Sequence, residues 1–152
     1  MKPIMPDNVV QIVGNLTRDP ELRFTPNGQA VCNFGIASTR VWTDKQSQER
    51  KEVTGFFDVV AWGPSAQNIA ESFCKGSRVI VLGTLEYHSW ELDDGSKRSK
   101  VEIKADDVGA STRWATVVIT RNEKENYAAK YTPQPTPQPT PQAAGWAPEE
   151  DF

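Results

Sequence analysis

Histidine and cysteine are scarce in this 152-residue chain, which has one His and two Cys. A Cys/His zinc site usually needs four such ligands, so the set cannot be assembled. A lone His88 in a strand-like stretch reads as a surface or groove residue, and no Ser/His/Asp or Cys/His triad can be built around it. Glycines occur in neither the P-loop nor the dinucleotide pattern. Asp93-Asp94 and Asp106-Asp107 fall at a turn and a strand end, where Asp bonds the backbone. No enzyme, catalytic residue, cofactor or metal is therefore expected. Cys32 and Cys74 form no CxxC pair and read as buried small hydrophobes, reduced in an intracellular protein.

Long apolar runs are also missing. No stretch of eighteen apolar residues is present, so no transmembrane helix is expected. The opening residues lack the apolar segment of a signal peptide, which leaves the cytoplasm as the expected compartment. A basic excess is absent too. Residues 1–114 carry 14 Lys and Arg against 15 Asp and Glu, and the remainder carries 3 against 5, for a total of −3. The simple electrostatic signature of a nucleic-acid binder is missing, so any such binding must rest on local patches and stacking.

What is present centres on residues 52–62. With period two, one face carries Phe57, Val59 and Ala61 and the other Phe56, Asp58, Val60 and Trp62. This alternation predicts a strand. A face that sets a charge between two large rings suits a surface that meets flat ligands better than it suits a closed core.

Around it, residues 9–16 form an apolar run that bends at Gly14-Asn15, and Asp19-Pro20 marks a turn. Residues 21–25 alternate as a short strand, and Asn27-Gly28 supplies a hairpin turn into a long strand over 30–41. Residues 43–51 are polar throughout and predict an exposed loop. After Trp62 the period changes. Pro64 opens a helix whose stripe is Ala66, Ile69, Ala70, Phe73 and Cys74, with Gly76 as its left-handed terminator. Strands over 78–90 and 99–108 flank a turn at Asp94-Gly95, and residues 114–120 are a further short β-prone piece. One helix between the third and fourth long strands of a five-stranded all-β meander fits a Greek-key barrel of the OB type, with a β-sandwich as the alternative.

Four rings stand at strand ends or beside charges: Trp42, Phe56, Trp62 and Trp90. Arg40, Lys45, Arg50 and Lys51 lie near Trp42, Lys97, Arg98 and Lys100 lie across the hairpin from Trp90, and Lys75 and Arg78 flank the helix end. Of these, Lys45, Lys51, Lys75, Lys97 and Arg98 are the expected phosphate contacts. Rings that stack on bases, interleaved with cations that track phosphates, suit a single-stranded nucleic-acid groove. The same rings could instead be core or oligomer-interface residues. An OB-type interaction module using its aromatic face for protein contacts is thus the rival reading.

Residues 13–28, 39–42 and 56–63 together resemble the bacterial single-stranded DNA-binding proteins. Residues 75–79 and 83–85, Trp90, and Asp94-Gly95 continue the likeness in order, across about residues 7–110. Residues 109–116 look like the actinobacterial branch. The resemblance implies an OB-fold homotetramer that wraps single-stranded DNA without sequence preference, during replication, recombination and repair. It implies a cytoplasmic, nucleoid-associated protein. It carries the family's stacking positions onto Trp42, Phe56, Trp62 and Trp90, and makes residues 115–120 a candidate strand clamping subunits together. Asp58 and Cys74 stand where relatives often carry a basic residue.

The expected organisation is a binding domain over 1–120, a Pro/Gln/Thr-rich linker over 121–145 and an acidic tip over 146–152. The Pro-Gln-Pro-Thr repeat has no core-forming residue and reads as an extended spacer. Glu149, Glu150, Asp151 and Phe152 read as a docking peptide or as an ordinary solvated terminus. The resemblance favours docking of replication, recombination and repair proteins, although the family's usual Pro before the final Phe is missing.

Overall fold

The structure is a computed structural model that describes residues 7–123. The chain divides into two units, Met1–Val117 and Val118–Phe152. Of the second, residues 118–123 are described and form neither helix nor strand. The proline repeat and the acidic tip lie outside the described residues.

Among the described residues, six strands and one helix build the first unit: β1 (Val10–Leu16), β2 (Glu21–Phe24), β3 (Ala30–Thr43), β4 (Arg50–Trp62), α1 (Pro64–Ser72), β5 (Arg78–Glu91) and β6 (Lys97–Ala110). The sheet order is β1-β5-β6-β4-β3-β2. Two joins close it into a five-stranded barrel. At one, β4 runs parallel to β6, with Val59 opposite Ile103 and Val60 opposite Lys104. At the other, the end of β1 leaves β5 and pairs with β3, Asn15 opposite Ala37 and Leu16 opposite Ile36. Gly14 permits that crossing, because a Cβ there would lie 2.5 Å from the Ala37 carbonyl oxygen. Closure removes the free edges that an open sheet would expose. The OB-type architecture expected from the sequence is the one observed, with β2 as a short strand added beside β3.

Strand alternation fills the barrel. Cys32, Phe34 and Ile36 of β3 face Ala61, Val59 and Phe57 of β4, and all but Phe57 are buried. Val79, Val81, Leu16 and Ile103 complete the interior, and Ala66 and Ile69 of α1 pack into the same cluster. Each large side chain buried this fully contributes roughly 1.5–3 kcal/mol. Gly63 precedes the helix at φ +74°, a conformation that few other residues tolerate, and Pro64 sits in the first turn.

The structure corrects three expectations. The helix stops at Ser72, where Phe73 turns to extended backbone while its N–H still donates to the Ile69 carbonyl. Gly76 does adopt positive φ, but within a separate turn closed by the Ser77 N–H on the Cys74 carbonyl, so it does not cap the helix. Cys74 is consequently exposed beside Ser77, and only Cys32 is a buried thiol. Third, residues 114–120 form no strand. A β-prone stretch becomes a strand only when an edge accepts its hydrogen bonds, and no edge among the described residues does so.

Candidate nucleic-acid interface

Beyond the closed part of the barrel, the β3–β4 and β5–β6 hairpins continue as long ribbons. Their pairing runs to Thr43 opposite Arg50 and to Glu91 opposite Lys97. Asp44 organises the first tip. Its carboxylate accepts from the Gln46 and Ser47 N–H groups at 2.8 and 3.3 Å and from Lys51 Nζ at 2.6 Å. The Lys51 ammonium first, then these backbone donors, hold the Asp44 carboxyl below its ordinary value. The second tip is closed by the Leu92 N–H on Ser96 and by Gly95 at positive φ. Both Asp94 oxygen contacts there come from Ser96, whose hydroxyl and backbone N–H lower the Asp94 pKa.

Register decides which candidate residues share a face. On β4, Phe56, Asp58 and Trp62 alternate with the inward Phe57, Val59 and Ala61, and so point out of the barrel. The Val60–Lys104 pairing brings Lys104, Glu102, Lys100 and Arg98 of β6 onto this outer side. Thr84, Glu86, His88 and Trp90 of β5 stand opposite those four in turn. Phe56, Trp62 and Trp90 therefore share one outer face with Arg98, and they are 75%, 41% and 46% exposed.

Trp42 does not share that face. It pairs with Lys51, and unbroken alternation back to the buried Ile36 puts both on the opposite side of the β3–β4 ribbon. Arg40, two residues earlier, places its guanidinium 5.7 Å from the Trp42 ring centre. Lys97, opposite Glu91, likewise lies on the reverse side of its ribbon from Arg98. Lys45 lies in the loop between β3 and β4, where its carbonyl accepts from the Gln48 side chain. Lys75 lies in the turn after the helix, where its backbone N–H donates to Asp19 Oδ1 at 2.8 Å. The nine ring and cation residues chosen from the sequence thus fall on two faces and two turns.

Ion pairs cross the outer face. Asp58 lies 3.5 Å from Arg18 and 3.4 Å from Lys100, and Lys100 also lies 3.3 Å from Glu102. Burial opposes the charge on Lys100, but Glu102 and then Asp58 outweigh it and raise its pKa above the ordinary lysine value. His88 Nε2 sits 3.0 Å from Glu102 and 3.5 Å from Glu86, which also pairs with Lys104 at 3.9 Å. One ligand atom from each of Glu86, His88 and Glu102 lies within 4.8 Å of the others, and both carboxylates are already engaged by lysines.

Arg18 and Lys104 escaped the sequence reading, and Lys100 was grouped with Trp90 there without being placed among the phosphate contacts. For Lys104 a signal existed: counting by twos from Arg98 through Lys100 puts it on the side of Trp90. Arg18 carried none, because only the fold brings it to Asp58. Trp114 escaped as well; it is exposed between the Arg78 and Arg113 guanidiniums, at 4.6 and 4.9 Å.

With this geometry in place, the profile of the single-strand binding protein family matches residues 7–111. The chain belongs to that family. Among relatives, the single-stranded DNA-binding protein of Paenarthrobacter aurescens is 46% identical over 121 residues, covering 79% of this chain and 71% of that protein. The protein of the same name from Mycolicibacterium smegmatis is 47% identical over 116 residues, covering 76% and 70%. Both are actinobacterial, the branch that residues 109–116 resemble. Among solved structures, a deletion mutant of the single-stranded DNA binding protein from Thermus aquaticus superposes with a TM-score of 0.61 at 34% identity. That match covers 70% of this chain, which spans about half (51%) of the Thermus chain. No helix among the described residues is long and apolar enough to cross a membrane.

Proposed function

We propose that this family member is a non-catalytic, sequence-independent single-stranded DNA-binding protein acting in replication, recombination and repair. The observation that carries the reading is the outer face, where Phe56 and Trp62 of β4 and Trp90 of β5 stand exposed, with cations of the intervening β6 beside them. Such rings stack on any base, and the names of the relatives agree. Trp42 is a fourth stacking ring, reached as the strand passes round the β3–β4 ribbon. Lys45, Lys51, Lys75, Lys97 and Arg98 contact phosphates, joined by Arg18 and Lys100. The domain spans 1–120, followed by a linker over 121–145 and a tip over 146–152. The chain works as a cytoplasmic homotetramer, and Glu149, Glu150, Asp151 and Phe152 recruit partner proteins.

Retention on a single-stranded DNA resin tests this. Elution by salt and by free oligo-dT, but not by duplex, supports it. Flow-through at low salt would favour the interaction-module reading, which the balanced charge of the outer face recommends. Deleting residues 146–152 should leave retention equal or slightly stronger, because a tip bearing Glu149, Glu150 and Asp151 competes with phosphates.

A further inference from the structure

Three carboxylates form a row across the outer face, one on each of three neighbouring strands. Glu102 of β6 stands directly opposite Glu86 of β5. Asp58 of β4 and Glu102 each lie two residues before the parallel pair Val60–Lys104, so they occupy the same level. Like charges set across neighbouring strands repel. Cations offset the repulsion here: Arg18 and Lys100 at Asp58, Lys100 at Glu102, and Lys104 at Glu86. The row also lies among the rings. Phe56 is two residues from Asp58 on one side and Trp62 four on the other, while Trp90 is four beyond Glu86.

We infer that Asp58, Glu102 and Glu86 act as a built-in phosphate mimic, holding Arg18, Lys100 and Lys104 in ion pairs that a nucleic-acid backbone must take over by exchange. The inference deepens the proposed function and rests on it. Arg18 and Lys100 are about half exposed at these contacts, and exposed pairs contribute little to stability, so exchange is feasible. A cation that changes one anionic partner for another releases fewer counterions from the complex as a whole. Carboxylates left behind also repel the incoming phosphates. The face therefore binds chiefly by stacking, with a shallow dependence on salt, and Asp58 sets how shallow.

The test measures oligo-dT affinity over a range of NaCl concentrations for the full chain and for Asp58→Asn, an isosteric change at a half-exposed site. On single strands each phosphate contact adds about 0.7 to the slope of log K against log salt. Asp58→Asn frees Arg18 and leaves Lys100 with Glu102, so the slope should steepen by about 0.7. Affinity at low salt should rise several-fold. Arg18→Gln in the Asp58→Asn background should abolish that gain, which separates a freed cation from a general structural effect. An unchanged slope and affinity in Asp58→Asn, with normal wild-type binding, would overturn the inference and leave the proposed function standing. Absence of wild-type binding at every salt concentration would overturn both.

Discussion

Trp42 and Phe56 lie on the two paired strands of one hairpin and face opposite sides of it. A strand of DNA touching both must pass round the ribbon, which gives the ring set an order that the sequence does not show.

That order can be tested by oligonucleotide length. A short oligo-dT confined to the outer face should lose about 5- to 150-fold in affinity on Phe56→Ala or Trp90→Ala, the equivalent of about 1–3 kcal/mol of stacking. It should be indifferent to Trp42→Ala. A longer oligonucleotide should respond to all three substitutions. Equal sensitivity to Trp42→Ala at every length would place the four rings on one path.

Phe34 sits fully buried at the centre of the barrel, opposite Val59. Phe34→Ala should cost about 3–5 kcal/mol through lost burial and the cavity it leaves. Urea unfolding followed by circular dichroism checks this, and a loss below about 1 kcal/mol would mean that the interior collapses onto the gap.

Asp44 couples the β3–β4 tip to pH. Its folded-state pKa is depressed by Lys51 and by two backbone donors. The contribution of this carboxylate is therefore present above the ordinary carboxylate value near pH 4 and lost as pH falls through the depressed value. Amide resonances of Gln46 and Ser47 should shift together over that acid window. Asp44→Asn should remove the transition and release Lys51 from its ion pair. Titration of the two amides near neutral pH would contradict the assignment.

Much of the architecture was legible because local chemistry and fold agree. Gly28 and Gly95 adopt the positive φ that their hairpin turns require, and the alternation over 52–62 matches the observed division into inner and outer residues. The ends of elements were harder to read. Residues 50 and 51, and 97 and 98, are charged and looked like loop, yet they are strand, because a two-stranded ribbon exposed on both faces needs no apolar side. The helix stripe was read one residue pair too far because Phe73 still packs on the core after the helix has ended, and packing alone does not reveal backbone conformation. Within the site, proximity in sequence grouped Trp42 with Lys45 and Trp90 with Lys97, whereas register distributes these residues over both sides of the ribbons. The pairing of Arg18 with Asp58 spans forty residues, and no local pattern announces it.

Intrinsic tryptophan fluorescence during titration with oligo-dT, at low and high salt, tests the central claim most directly. If Trp62 and Trp90 stack on bases, emission is quenched and saturates at a fixed number of nucleotides per subunit, and Trp62→Ala with Trp90→Ala removes most of the signal. No quenching at either salt concentration would mean that these rings meet protein and not DNA, and the outer face would then be a protein-contact surface.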